Sequence, residues 1–287
     1  MCGLIGDLCW SQPAHAESLA SLRHRGPDAE GSWRSPDDHC WLGHTRLAIL
    51  DLTPAGAQPI TSHCGRLTLV FNGEIYNHLE VRKRLHFQTW RGHSDSETLV
   101  EGLVERGAAL LEELAGMYAF AAYDTHTQEL LLARDRLGIK PLYLQWRQGG
   151  LRFASERRAL DPAAPLTAGQ VSQVLAWGHL QTPTRFLATP PAKVSISSEI
   201  PSLQSLPAGM AVRLQPGTPP EPRSYWPSPA PSDWSLLPIR SAAQARSRVR
   251  DLLEQVVQDH LLADRSEEHT SVLQSHSDLL CRLLLEK

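Results

Sequence analysis

The chain has 287 residues, 41% of them hydrophobic and 21% charged, and carries a formal net charge of -3. That balance suits a globular protein of one or two domains and gives no electrostatic reason to expect nucleic acid or an anionic membrane as a partner. Five cysteines without Cys-x-x-Cys spacing argue against a disulfide framework or a zinc site. The amino terminus lacks the basic and apolar regions of a secretory signal. No apolar run approaches the roughly 18 residues needed to span a bilayer, so a reduced, cytoplasmic protein is expected.

In chain order, short apolar or alternating runs bounded by turn residues predict strands at residues 3–9, 67–71, 117–123, 129–133 and 142–146. Residues 94–106 predict a helix. Ser94 is a capping residue, Glu97 stands where a capping-box partner belongs, and Leu99, Val100, Leu103 and Val104 form one apolar stripe. Strands outnumber helices and come in closely connected pairs, which predicts antiparallel sheets with helices packed outside, an α+β fold. Most of the 21 prolines fall in residues 181–238, and that stretch is expected to be a loop-rich crossing segment or linker with one strand at 211–214. Residues 241–263 predict a helix with Val249, Leu252, Leu253, Val256, Val257 and His260 on one face.

The chemistry starts at Cys2. If Met1 is removed, this residue carries both a thiol and a free α-amine. The thiol, with a pKa of about 8.5, is mostly protonated at neutral pH, whereas an α-amine of pKa about 7.7–8.0 keeps a useful fraction as free base. Such an amine can take the thiol proton and later return it to a leaving group, which puts nucleophile and base in one residue.

Behind MCGLIG the chain carries HRGPD from His24, GHTRLAILDL from Gly43, FNGEIYN from Phe71, SDSET from Ser94, ARDRLGIKPLY from Ala133 and FASE from Phe153. In this order the segments resemble the class II glutamine amidotransferase domain, in the version found at the front of glutamine-hydrolysing asparagine synthetases. The resemblance implies an N-terminal-nucleophile hydrolase fold, an αββα sandwich of two antiparallel sheets with outer helix layers. It implies that Cys2 attacks the glutamine amide and forms a thioester. It also implies that the Asn72 side chain and the Gly73 N–H form the oxyanion hole, a glycine letting the backbone approach the substrate without a Cβ in the way. Arg46 matches the clamp on the substrate carboxylate, for which a planar guanidinium is suited. Glu74 and Asp95 match the partners of its α-ammonium. Arg25, Asp135, Arg136, Gly138 and Lys140 are expected to brace the scaffold, and His24 and His44 to stay out of catalysis because the α-amine fills the role of base.

By the same resemblance, residues 1–180 are the glutaminase domain, 181–238 the linker, and 239–264 the first helix of a truncated synthetase domain. Residues 265–287 resemble translated adapter DNA and are expected to be non-native. The nucleotide-cradling SGGxDSS loop that should follow Asp264 is absent. Hence no cofactor and no metal are expected for these residues, with ATP and Mg belonging to a full-length parent. Glutamine is the expected partner, aspartate only through the missing half, and a homodimer is left open. Two alternatives stand beside this reading: a glutaminase serving a different acceptor, and an inactive interaction module.

Overall fold

The computed structural model describes residues 1–9, 15–147, 150–160, 168–177, 203–216, 218, 220–226, 241–260 and 264. The elements run β1 (Gly3–Leu8), α1 (His15–Ala20), β2 (Ala29–Arg34), β3 (Cys40–Arg46), β4 (Ile60–Thr61), β5 (Leu67–Ile75), α2 (His78–Arg84) and α3 (Asp95–Arg106). They continue with β6 (Gly116–Asp124), β7 (Glu129–Arg134), β8 (Tyr143–Arg147), β9 (Gly150–Ala154), α4 (Arg157–Leu160), α5 (Ala168–Trp177), β10 (Leu203–Ser205), β11 (Met210–Leu214), β12 (Glu221–Ser224) and α6 (Ala242–His260).

The strands form two six-stranded antiparallel sheets, ordered β10-β8-β9-β1-β3-β2 and β12-β11-β7-β6-β5-β4. Their side chains sort by the two-residue period of a strand. From β6, Ala119, Ala121 and Tyr123 point into a core shared with Leu4, Leu42 and Phe153 of the other sheet, whereas Tyr118, Phe120 and Ala122 face Leu99, Val100 and Leu103 of α3. Ile5 and Trp41 turn to the opposite outer layer, where they meet Leu19 and Leu22 beside α1 and Ala159 of α4. The result is the expected αββα sandwich. Because both faces of most strands are buried, runs such as Leu130 to Leu132 are continuously apolar and not alternating.

All five expected strands are present, and β5 extends four residues past its expected end to Ile75. The helix expected at 94–106 is α3, capped by Ser94, whose hydroxyl accepts the Glu97 N–H at 3.2 Å. Glu97 does not complete a capping box. Its carboxylate reaches back to the N–H groups of Arg91 at 2.8 Å and Gly92 at 3.0 Å, orphan donors of the preceding loop. Residues 178–202 lie outside the described residues. Beyond them, β11 is the strand expected at 211–214 and pairs with β7, whereas β10 and β12, from the same stretch expected to be a linker, pair with β8 and β11 as edge strands of the two sheets. The helix expected at 241–263 is α6, with residues 261–263 outside the described part; Val249, Leu252, Val256 and Val257 on it are exposed. The tail at 265–287 also lies outside the described residues. Among the described residues, no helix is long and apolar enough to cross a membrane.

Candidate active site

Antiparallel pairing of β1 with β3 sets Gly3 opposite Thr45, so Cys2 lies beside Arg46 and Leu47 at the end of β3. The Cys2 Sγ is 3.4 Å from both the N–H and the carbonyl oxygen of Leu47. Burial pushes the thiol pKa up, offset in part by the Leu47 N–H, the chain's terminal amine and Arg46. The HRGPD segment holds this arrangement from behind. Arg25 Nε donates to the Cys2 carbonyl at 3.0 Å while its Nη1 pairs with Glu156 at 3.1 Å, and Asp28 Oδ2 accepts the Ala48 N–H at 2.8 Å.

The second wall is β5. Asn72 and Gly73 sit opposite Ala119 and Tyr118 in the β5–β6 ladder, which fixes their backbone. Asn72 is buried, and its Nδ2 has no hydrogen-bond partner among the described residues. Leaving a buried amide donor unmade costs about 1–3 kcal/mol, so this one is a candidate for a ligand oxygen. The glycine at 73 has a cause the sequence reading did not give. A Cβ there would lie 2.2 Å from the Met117 carbonyl oxygen, so the approach of β6 itself demands glycine.

Asp95 opens α3, and its Oδ2 accepts the Ile75 N–H at 3.0 Å, tying the helix start to the end of β5. Desolvation pushes its carboxyl up to about 6, against the pull of that N–H and of Arg82.

Arg46 is held differently. Its guanidinium donates to three loop carbonyls, those of Thr53 at 3.2 Å, Leu50 at 3.4 Å and Asp51. Among the described residues, no carboxylate is within ion-pair distance of it, so a buried cation is left without a counter-charge. Gly56 makes room for this, because a Cβ at that position would lie 2.3 Å from Arg46 Nη2.

Cys2, Arg46, Asn72, Gly73, Glu74 and Asp95 all line one pocket that is partly open to solvent. Its other walls include Met1, Ile49, Leu50, Gln58, Met117 and Lys140. Lys140, expected only as a brace, also faces this pocket. Its backbone N–H is bound by Asp135 at 2.9 Å, while its buried ammonium is pushed to lower pKa by desolvation, opposed by Glu74 and Cys2. Asp135 also gathers the N–H groups of Tyr118, Leu137 and Ile139. Arg136 stacks 3.7 Å over the Trp226 ring and donates to the Glu112 carbonyl. The two histidines lie off the pocket. His24 pairs with Glu156 at 2.7 Å, and His44 contacts the Phe71 carbonyl at 3.0 Å with its pKa lowered to about 4 by burial. Among the described residues no group of three or more His, Cys, Asp or Glu is placed to hold a metal ion.

Residues 1–226 match the family model of the glutamine amidotransferase domain, and the chain belongs to that family. Among curated relatives, asparagine synthetase [glutamine-hydrolyzing] 2 of Arabidopsis thaliana is 39% identical over 168 residues, 56% of this chain and 28% of its own length. A putative asparagine synthetase [glutamine-hydrolyzing] of Mycobacterium bovis is 41% identical over 181 residues, with the same shares. Amidase chry2 of Gibberella zeae is 31% identical over 249 residues, 86% of this chain and 35% of its own length. The chain thus spans about a third of the length of the curated relatives it matches. In fold it is similar to the glutamine phosphoribosylpyrophosphate amidotransferase of B. subtilis, with a TM-score of 0.51 at 19% identity over 78% of this chain and 49% of that one. A structure described as the allosteric regulatory enzyme of purine biosynthesis gives 0.54 at 18% identity over the same shares.

Proposed function

We propose that this glutamine amidotransferase domain hydrolyses glutamine to glutamate and ammonia through a thioester on Cys2, as the ammonia-supplying half of an asparagine synthesis. The observation that carries the reading is one pocket that gathers a half-buried thiol, a buried carboxyl and, among the described residues, a guanidinium without a counter-charge and an unpaired amide donor. Free glutamine presents the complement: a carboxylate for Arg46, an ammonium for Asp95 and Glu74, and an amide carbonyl for Cys2.

Removal of Met1, which lines the pocket and is 57% exposed, frees the Cys2 amine. The amine accepts the thiol proton as Sγ attacks the amide carbon. The carbonyl electrons move to oxygen, where Asn72 Nδ2 and the Gly73 N–H receive the charge. Collapse expels ammonia, which takes the proton back from the amine, and leaves a thioester. Water then attacks the thioester with the same amine as base, releasing glutamate and restoring the thiol. The raised thiol pKa makes a local base necessary, since little thiolate exists at neutral pH without one. No metal or nucleotide enters these steps; ATP and Mg belong to activation of the acceptor, aspartate, in a longer parent chain. We place the compartment as cytoplasmic.

The test is direct. Mass spectrometry of the active chain should show Cys2 as its first residue, and Cys2→Ala should abolish ammonia release from glutamine. Ammonia release that survives Cys2→Ala would falsify the mechanism.

A further inference from the structure

The loop that holds Arg46 is itself held, by a residue far along the chain. Asp264 Oδ2 accepts the Asp51 N–H at 2.7 Å and contacts His93 Nε2 at 2.7 Å, and the Asp264 N–H donates to the Ile49 carbonyl at 2.9 Å. The contacts with Ile49 and Asp51 land on a short segment with two other jobs. Ile49 and Leu50 line the glutamine pocket, and the carbonyls of Leu50 and Asp51 accept from the Arg46 guanidinium. A second strut reaches the same place: Asp51 Oδ2 accepts the His93 N–H at 2.9 Å, and Asp51 Oδ1 accepts the Thr53 N–H at 3.2 Å. His93 immediately precedes the Ser94 cap and Asp95, so the node connects the Arg46 loop with the α3 start.

We propose that Asp264 is a positioning residue for glutamine binding, acting through the 49–51 segment to aim the Arg46 guanidinium and set the spacing between it and Asp95. The physical reason is that loop carbonyls have no sheet partners to fix them. Arg46 is oriented only as well as those carbonyls are, and a carboxylate that binds one N–H and one ring N–H across the loop restricts both. Asp264 touches neither the thiol nor the oxyanion donors, so its effect falls on binding of the amino-acid head and not on the attacking sulfur. The proposal rests on the glutamine reading above, and its test separates the two.

The full chain is prepared with Asp264→Ala, Asp264→Asn and His93→Ala. Each is measured for KM and kcat with glutamine, and for Cys2 alkylation by two reagents. Iodoacetamide reads the sulfur alone, whereas a glutamine-shaped diazoketone reads the sulfur together with the cradle for the amino-acid head. Asp264→Ala is expected to raise KM roughly 5- to 20-fold, to leave kcat within about twofold and to slow the diazoketone but not iodoacetamide. Asp264→Asn, which keeps one acceptor, and His93→Ala should each give roughly 2- to 5-fold. These two carry the test if Asp264→Ala does not fold. An unchanged KM in all three variants overturns the proposal. So does a fall in kcat accompanied by slower iodoacetamide alkylation, which means a general collapse of the site. A parent chain that iodoacetamide alkylates but that neither hydrolyses glutamine nor reacts with the diazoketone overturns the glutamine reading itself.

Discussion

The pocket has two walls built on different principles. On one side, Asn72 and Gly73 belong to β5, which is laddered to β6 along its whole length, and Asp95 is tied to the same strand through the Ile75 N–H. On the other, Arg46 ends β3 and its guanidinium rests on carbonyls of a loop, with Gly56 pressed against it. In the proposed reaction Asn72 and Gly73 of the sheet wall meet charge that appears during the reaction, where a displacement of a fraction of an ångström is costly. In the same proposal Arg46 of the loop wall is a full charge that meets the full charge of the substrate carboxylate, an interaction more tolerant of geometry. From this contrast, changes to the oxyanion donors of the sheet wall should appear in kcat and changes to the loop wall in KM.

The largest effect after loss of the thiol itself is expected from Asn72→Ala. It should lower kcat roughly 10²- to 10³-fold with little change in KM, as removal of one oxyanion donor does. Steady-state ammonia release checks this, and a rise in KM at constant kcat would break the comparison. Arg46→Ala should raise KM roughly 10- to 100-fold, the range for losing charge-assisted hydrogen bonds to a carboxylate, and leave kcat nearly intact. Arg46→Lys should recover little, because an ammonium cannot reach the same loop carbonyls and the substrate at once. Gly56→Ala sharpens the comparison further. Its Cβ would displace Arg46 Nη2, so KM should rise roughly tenfold while iodoacetamide alkylation of Cys2 stays at the parental rate.

Much of the sheet wall was legible in the sequence because FNGEIYN and SDSET are short contiguous segments that carry the family resemblance; the local pattern gave the capped helix start but ended the strand at residue 71, short of Asn72 and Gly73. The loop wall was legible only as Arg46. Gly56, Gln58, Ile49, Leu50 and Asp264 reach the pocket or its loop through tertiary contacts, and nothing in their spacing announces them. Lys140 was read as a brace together with the rest of ARDRLGIKPLY; Asp135 does hold its backbone, but the direction of its side chain is a property of the fold. In the scaffold, β3 went unread because every residue of it is buried, which removes the two-residue alternation. β10 and β12 went unread because short edge strands in proline-rich sequence carry almost no local signal. Glycine at 73 was read for the substrate's sake, and it is demanded at least as much by the neighbouring strand.

The smallest effect is a pH dependence that belongs to the sheet wall and yet appears in KM. Buried Asp95 titrates at about 6 without a ligand, so at pH 7 it is mostly the carboxylate that an α-ammonium requires. As pH falls through about 6 the pocket binds a proton where it should bind the ammonium, and glutamine must displace that proton to bind. Glutamine's own ammonium is fully charged across this range, so the acid limb is the protein's alone. KM should therefore rise about five- to tenfold between pH 7 and pH 5. In Asp95→Asn the rise should vanish, since nothing then titrates there, and KM should be high at both pH values. His44 provides the control. Its pKa of about 4 lies below the ordinary histidine value, so it favours the fold above about 6.5, and that contribution declines as pH falls toward 4. Loss of fold therefore lowers the amount of active enzyme at acid pH without touching KM. An acid limb that persists unchanged in Asp95→Asn would assign the titration to another group and remove Asp95 from the ammonium site.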